Sequence, residues 1–389
     1  MQFIDLGIQQ NRIREKIENN IRQTLDHGKY IMGPEVSALE ERLSGYVGAK
    51  HAVACASGTD ALLMALMAYG IGPGDAIFTS PFTFIATAEV ISLLGATPVF
   101  VDADPKTFNM QPEKLELAIQ ALSTQDRNIY PLPSDKRQTL SKLTPRGIVA
   151  VNLFGIPADY DLINAIARQN HLFVIEDAAQ SFGAEYNGKM SCSLADVGCT
   201  SFFPAKPLGC YGDGGMCFTD NDDIAAFMKS IRVHGKGTHK YDNIRIGING
   251  RLDTIQASIL LAKFEIFPEE VELRQKVARH YSTLLNGADT ISIPGVPEKM
   301  KSVWAQYSLL AEDENQRSQL QSKLKSNDIP TAIYYPMPLH LQSAFSNLGY
   351  REGDFPLSED CSRRIFSIPM HPYLKEEDQR KIAEIIVNP

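Results

Sequence analysis

Between residues 52 and 175 the chain alternates short apolar runs with longer stretches of helical spacing, and this rhythm constrains the fold more than any other feature. The runs 52–56, 76–79, 98–101, 148–152 and 172–175 are nearly continuous in apolar residues, the pattern of strands covered on both faces. Segments 61–68, 87–94, 113–121 and 160–168 suit helices, and Gly72-Pro73-Gly74 and Asp104-Pro105 suit the turns between them. The repetition predicts an α/β fold with a mainly parallel sheet.

Beyond a glycine-rich stretch at 209–215, residues 224–231 read as a helix. Leu252, Ile255, Ile259 and Lys263 share the face of a longer helix expected to run on to 285. Strand-like runs at 304–310 and 331–335 mix with helices at 316–326 and 376–386. The expected division is therefore a large domain over 1–250 that includes an N-terminal arm, a connecting helix over 251–285 and a smaller α+β domain over 286–389. Residues 122–145 break the rhythm: they are polar, carry three prolines and lack a period, so they read as an exposed insertion. Lys136, Arg137 and Lys142 lie within it, either as solvated side chains or as an anion contact.

At 389 residues, the length accommodates two such domains. Lysine plus arginine is 38 against 46 acids, a net charge of −8, so no nucleic-acid partner is expected and any anionic ligand must be held locally. The most lipid-like run, 90–101, is far shorter than the roughly 20 residues of a membrane span. The start Met1-Gln2-Phe3-Ile4-Asp5 has neither the basic nor the apolar part of a secretory signal. Six cysteines without a C-x-x-C pair fit reduced thiols, and a cytoplasmic location is expected.

The sequence holds no G-x-G-x-x-G, no G-x-x-x-x-G-K-[ST], no H-E-x-x-H and no G-x-S-x-G, and no metal site is expected. A backbone anion site is the remaining candidate. The strand at 52–56 runs into Ser57-Gly58-Thr59-Asp60 and then a helix, where free N–H groups, the helix dipole and two hydroxyls favour a phosphate, if they are not simply a helix cap. At the end of the strand at 172–175 stands Glu176-Asp177, where a carboxylate either faces the ligand crevice of an open sheet or caps the next segment. Lys206, in Ser201-Phe202-Phe203-Pro204-Ala205-Lys206-Pro207-Leu208-Gly209, lies between an aromatic strand end and a glycine-rich return. Partial desolvation there would lower its pKa and make its amine a nucleophile. Phosphate grip, strand-end carboxylate and reactive amine are together what pyridoxal phosphate (PLP) requires. Phe84, at another strand end, either stacks on the cofactor ring or packs into the core.

Ser57-Gly58-Thr59-Asp60-Ala61-Leu62, Glu176-Asp177-Ala178-Ala179-Gln180-Ser181, the segment around Lys206 and Asn249-Gly250-Arg251-Leu252-Asp253 closely resemble the DegT/StrS-type nucleotide-sugar aminotransferases. The resemblance runs from Phe3 to Tyr373. It implies the aspartate-aminotransferase fold and a homodimer with active sites at the subunit interface. It also implies PLP in Schiff-base linkage to Lys206, with pyridoxamine phosphate as the alternate cofactor form. By the same resemblance Asp177 partners the pyridinium nitrogen, Gln180 lies beside the ring, and Gly58, Thr59 and Ser201 grip the phosphate. Asn249 would reach the phosphate from the neighbouring subunit. Some relatives replace the lysine with histidine and act as dehydratases; this chain keeps Lys206.

The longer runs 206–215, 251–257 and 274–278 look most like the subgroup acting on UDP-linked 3-oxo-N-acetylglucosaminuronic acid, with glutamate as amino donor, in bacterial surface-polysaccharide (O-antigen) synthesis. Arg251 suits the carboxylate of such a sugar, or else an interface ion pair. Tyr334, Tyr335 and His340 stand where that family presents residues to the sugar. The alternatives are a dTDP-linked 3- or 4-oxo-6-deoxyhexose as substrate and a PLP-binding regulator without catalysis.

Overall fold

The chain begins with two helices, α1 (Leu6–His27) and α2 (Pro34–Val47). Asp5 caps α1 by accepting from the Ile8 N–H at 3.0 Å, and Gly28 ends it in the left-handed conformation. Pro34 opens α2 and Gly48 closes it. This computed structural model describes residues 1–134, 143–239, 241–288 and 290–387.

The expected alternation follows: β1 (His51–Cys55), α3 (Gly58–Ala68), β2 (Asp75–Thr79), α4 (Ala86–Leu93), β3 (Thr97–Phe100), α5 (Pro112–Thr124), β4 (Thr144–Val151), α6 (Tyr160–Gln169) and β5 (Phe173–Asp177). Two short strands, β6 (Glu185–Tyr186) and β7 (Lys189–Met190), precede β8 (Val197–Ser201), β9 (Gly215–Thr219) and α7 (Asp222–Ile231). The main sheet has the order β1-β9-β8-β5-β4-β2-β3. The pairs from β3 through β8 are parallel, whereas β9 is antiparallel to both β8 and β1, so β9 alone runs against the rest. Its strands are buried almost throughout because helices cover both faces, which explains their continuous apolar reading.

The single helix expected over 252–285 is two helices, α8 (Thr254–Phe264) and α9 (Phe267–Leu284). Pro268 falls in the first turn of α9, where its missing N–H costs nothing; within a continuous helix it would break the hydrogen-bond ladder. Helix α8 is largely buried and packs against α1 and α2, while α9 packs on the last helix of the chain. Then come β10 (Ile291–Ser292), β11 (Met300–Lys301), β12 (Tyr307–Ala311), α10 (Glu314–Ser326), α11 (Pro356–Arg364), β13 (Ile365–Ile368) and α12 (Glu376–Val387). Strands β10, β12 and β13 form an antiparallel sheet around Tyr281, Tyr307, Leu309, Leu324, Phe366 and Ile382. The strand expected at 331–335 is reduced to one bridge between Ala332 and Ser367.

The segment read as an exposed insertion is partly built into the core. Helix α5 runs to Thr124, and Tyr130 and Leu132 are buried. The Tyr130 hydroxyl accepts from the Asp102 N–H at 2.8 Å. Two aromatic or aliphatic anchors among polar neighbours carry no period, so burial there left no pattern in the sequence. Lys136, Arg137 and Lys142 lie outside the described residues. All six cysteines are buried and free, and no helix among the described residues is long and apolar enough to cross a membrane.

Candidate active site

The sheet brings its functional ends to one edge. Registers pair Val151 with Asp177, Asp177 with Cys199, Ser201 with Gly215 and Cys55 with Gly215. The carboxyl ends of β1, β4, β5 and β8 therefore meet the start of β9, the edge where open sheets take ligands. A cavity of about 460 Å³ opens there, lined by Ser57, Gly58, Thr59, Phe84, Asp177, Gln180, Ser201, Lys206, Tyr334 and Tyr335 among others.

One wall is an anion cradle. Ser57 adopts extended backbone as the N-cap of α3, and its Oγ accepts from the Asp60 N–H at 3.0 Å. The Ala61 N–H bonds the Ser57 carbonyl at 3.0 Å, which leaves the N–H groups of Gly58 and Thr59 without partners among the described residues. A Cβ on Gly58 would lie 2.6 Å from Ser201 Cβ, and one on Gly215 would lie 2.3 Å from the Ser57 carbonyl oxygen. Only glycine lets α3 and β9 close on the end of β8, which places the Ser201 hydroxyl beside the helix start.

Opposite charges form the floor. Asp177 is buried, accepting from Thr87 Oγ1 at 2.7 Å and from the Ala179 N–H at 3.2 Å. Desolvation raises its pKa, against the pull of those two bonds and of Lys206. Lys206 is half-buried, and its Nζ has neither an ion pair nor a hydrogen bond among the described residues. Desolvation lowers its pKa and the Asp177 charge opposes that. A depressed amine is the form that attacks carbonyls.

Gln180 is buried and held at both ends of its amide: Oε1 accepts from the Phe154 N–H at 2.8 Å and Nε2 donates to the Tyr335 hydroxyl at 3.2 Å. Phe84 is 55% exposed at the mouth, which favours its reading as a ring contact over core packing, and its ring lies 6.3 Å from that of Tyr335. Tyr334 also lines the cavity.

Three expected residues lie elsewhere. His340 is buried and does not line the cavity, its Nε2 at 3.0 Å from Glu359 Oε1 and its ring 4.7 Å from that of Phe355. The reason is its 3-10 turn, 339–341, which tucks the imidazole against α11. Asn249 is exposed and bridges Val233, while Arg251 is half-buried with an unpartnered Nε; neither lines this chain's own cavity. Conversely, the sequence reading did not single out Thr87, Phe203, Asp213 or Gln306, all of which line the cavity. Thr87 had a signal of sorts, a hydroxyl on a helix following a strand end, but nothing tied it to Asp177.

Residues 11–387 match the profile of the DegT/DnrJ/EryC1/StrS aminotransferase family. The chain belongs to that family. It is 46% identical over 390 residues, the full length of both proteins, to the UDP-2-acetamido-2-deoxy-3-oxo-D-glucuronate aminotransferase of Pseudomonas aeruginosa. A DegT DnrJ EryC1 StrS aminotransferase from Brucella abortus superposes with a TM-score of 0.92 at 48% identity, covering 99% of this chain and 98% of that one. The PLP form of Spr1654 from Streptococcus pneumoniae, a putative sugar aminotransferase by its description, gives a TM-score of 0.85 at 25% identity over 96% of this chain and 95% of that one. This family member is a PLP-dependent aminotransferase. Its residues fit the cofactor: a helix start with free N–H groups beside the Ser201 hydroxyl, held in place by the close approach of Gly58 and Gly215, a buried carboxylate with accepting capacity left over, and a lysine without a partner among the described residues.

Proposed function

We propose that this aminotransferase moves the amino group of glutamate to the C3 ketone of a UDP-linked 3-oxo-N-acetylglucosaminuronic acid. In this reading it supplies a diamino sugar for bacterial surface polysaccharide such as O-antigen, in the cytoplasm. The chemistry is carried by the unpaired Lys206 beside the half-satisfied Asp177; the substrate is carried by likeness to the Pseudomonas aeruginosa enzyme over the whole of both chains.

Pyridoxal phosphate bound here supplies a carbonyl carbon that accepts the amino group and a conjugated ring that spreads negative charge. Asp177 would hold the ring nitrogen and keep it protonated, which would give the buried carboxylate a second positive charge beside that of Lys206. The Gly58 and Thr59 N–H groups with the Ser57, Thr59 and Ser201 hydroxyls hold the phosphate. Phe84 and Gln180, both on the cavity wall, would lie against the ring. Lys206 Nζ removes the proton from the α-carbon of glutamate in one half-reaction and delivers a proton to C3 of the sugar in the other.

The working unit is a homodimer. The segment 233–249 carries Tyr241, Ile244 and Ile246 at 86%, 56% and 87% exposure, an apolar stretch that favours a second copy. Asn249, at the end of that segment, and Arg251, just beyond it, then serve the partner's cavity, Asn249 at the phosphate and Arg251 at the uronate carboxylate.

Purified enzyme given glutamate and a panel of oxidised UDP- and dTDP-sugars tests the reading. Amination of the UDP-3-oxo-uronate is expected. Exclusive use of a dTDP-6-deoxyhexose would replace the substrate, and an absorbance band that glutamate never bleaches would mark a regulator. Lys206→Ala should lower turnover by about 1,000-fold or more; near-normal rates would remove Lys206 from the mechanism.

A further inference from the structure

One side chain in the cavity has no assigned partner or role. Gln306 lies just before β12, on the wall facing the cofactor site. Its position is fixed by backbone: the Val303 N–H bonds the Gly155 carbonyl at 3.0 Å, and the Ala305 and Gln306 N–H groups share the Phe154 carbonyl at 3.1 and 3.5 Å. A Cβ on Gly155 would lie 2.9 Å from the Trp304 and Ala305 nitrogens, so the two segments are in close contact. The Phe154 N–H in turn is held by Gln180. Gln306 is thus anchored through one residue to the amide beside the cofactor ring.

Gln306 is half-buried on the cavity wall, its amide makes no hydrogen bond among the described residues, and its Oε1 has no donor. A buried acceptor left open in a native site calls for a ligand group. The neighbouring Gln180 shows the contrast, because both ends of its amide are already engaged.

Resting on the substrate proposed above, we propose that Gln306 reads the 2-acetamido group of the sugar, accepting its N–H at Oε1 and donating to its carbonyl from Nε2. An amide is the group that satisfies both ends at once, side by side. Glutamate offers carboxylates, which accept only, and an amino group consumed by the reaction. The uracil imide has the right pattern but is separated from the sugar by two phosphates, whereas the acetamido group adjoins the reacting C3. Gln306 is therefore a specificity-determining residue that distinguishes 2-acetamido from 2-hydroxy sugars.

The test is equilibrium binding to the PLP-loaded enzyme, by calorimetry, of two ligands that carry a C3 hydroxyl and cannot be aminated: UDP-2-acetamido-2-deoxyglucuronate and UDP-glucuronate. Wild type should favour the acetamido ligand by roughly tenfold, the worth of two hydrogen bonds. Gln306→Leu should bring that ratio to within about threefold of unity. Gln306→Met, of similar length, serves equally if the leucine variant fails to load PLP, which its absorbance band reports. A ratio unchanged in the loaded variant overturns the assignment while leaving the proposed substrate standing. Equal weakening of both ligands overturns it in favour of contact with the uracil or another shared group. A wild type that binds neither ligand overturns it together with the proposed substrate.

Discussion

Glu176 and Asp177 are adjacent carboxylates at the end of β5, both buried, facing opposite sides of the sheet. Glu176 accepts from Asn152 Nδ2 at 2.8 Å, Ser191 Oγ at 2.7 Å, the Cys192 N–H at 2.7 Å and the Leu194 N–H at 3.0 Å. Among the described residues the Asp177 carboxylate accepts only from Thr87 and Ala179. Burial raises the pKa of both; four donors oppose that rise at Glu176, whereas Asp177 keeps accepting capacity for a ligand. Burial alone thus does not distinguish the two carboxylates; the number of donors already committed does.

Three substitutions probe this contrast. Asp177→Asn should lower turnover by about 100- to 1,000-fold while the urea midpoint, measured at saturating PLP, hardly moves; a stability loss as large as the activity loss would break the distinction. Glu176→Ala strips the acceptor from two buried N–H groups and two side chains, and should cost about 3 to 5 kcal/mol in urea unfolding. Survival of that variant with a wild-type midpoint would mean that the saturated shell contributes little.

The third substitution concerns an unpaired group outside the cavity. Lys263 is 1% exposed, has no ion pair or hydrogen bond among the described residues, and lies with its Nζ 4.9 Å from the centre of the Tyr211 ring. Desolvation lowers its pKa to about 8 against the attraction of Glu270. Between about pH 8 and the ordinary lysine value the unfolded chain binds the extra proton, so wild-type stability rises with pH across that window. Lys263→Met should therefore stabilise the protein at pH 7 by about 1 to 2 kcal/mol, part of the gain being offset by the lost cation–π contact. The gain should shrink toward pH 10. Turnover should change little, since Lys263 does not line the cavity and its desolvation outweighs its contacts with Tyr211 and Glu270; destabilisation at pH 7 would contradict that view.

The sheet and the chemistry at its edge were legible because both rest on local patterns: apolar runs of strand length, a cap followed by a helix, a lysine before a glycine-rich return. The remainder depends on partners distant in sequence. Helix α1 buries only Gln9, Ile17 and Thr24, too few for a period to be seen. Tyr130 enters the core through contact with Asp102, and His340 is held by Glu359 and does not line the cavity. Gln306 lies in a run, Trp304-Ala305-Gln306-Tyr307, whose strand character is plain, but the open state of its amide exists only once Phe154 and Gly155 pack against it.

The reversed direction of β9 has a mechanical consequence. Because β8 and β9 are antiparallel neighbours, the loop bearing Lys206 leaves and re-enters the sheet at the same edge, cinched by Phe202 N–H to Gly214 at 2.7 Å and Cys210 N–H to Phe202 at 2.8 Å. A parallel partner would have required a crossover helix and a distant return. The loop is instead a hairpin whose stem is core sheet, so exchange of its cinching amides with solvent is coupled to opening of β8 and β9. The Lys206 amine is thus carried on a loop rooted in the core sheet.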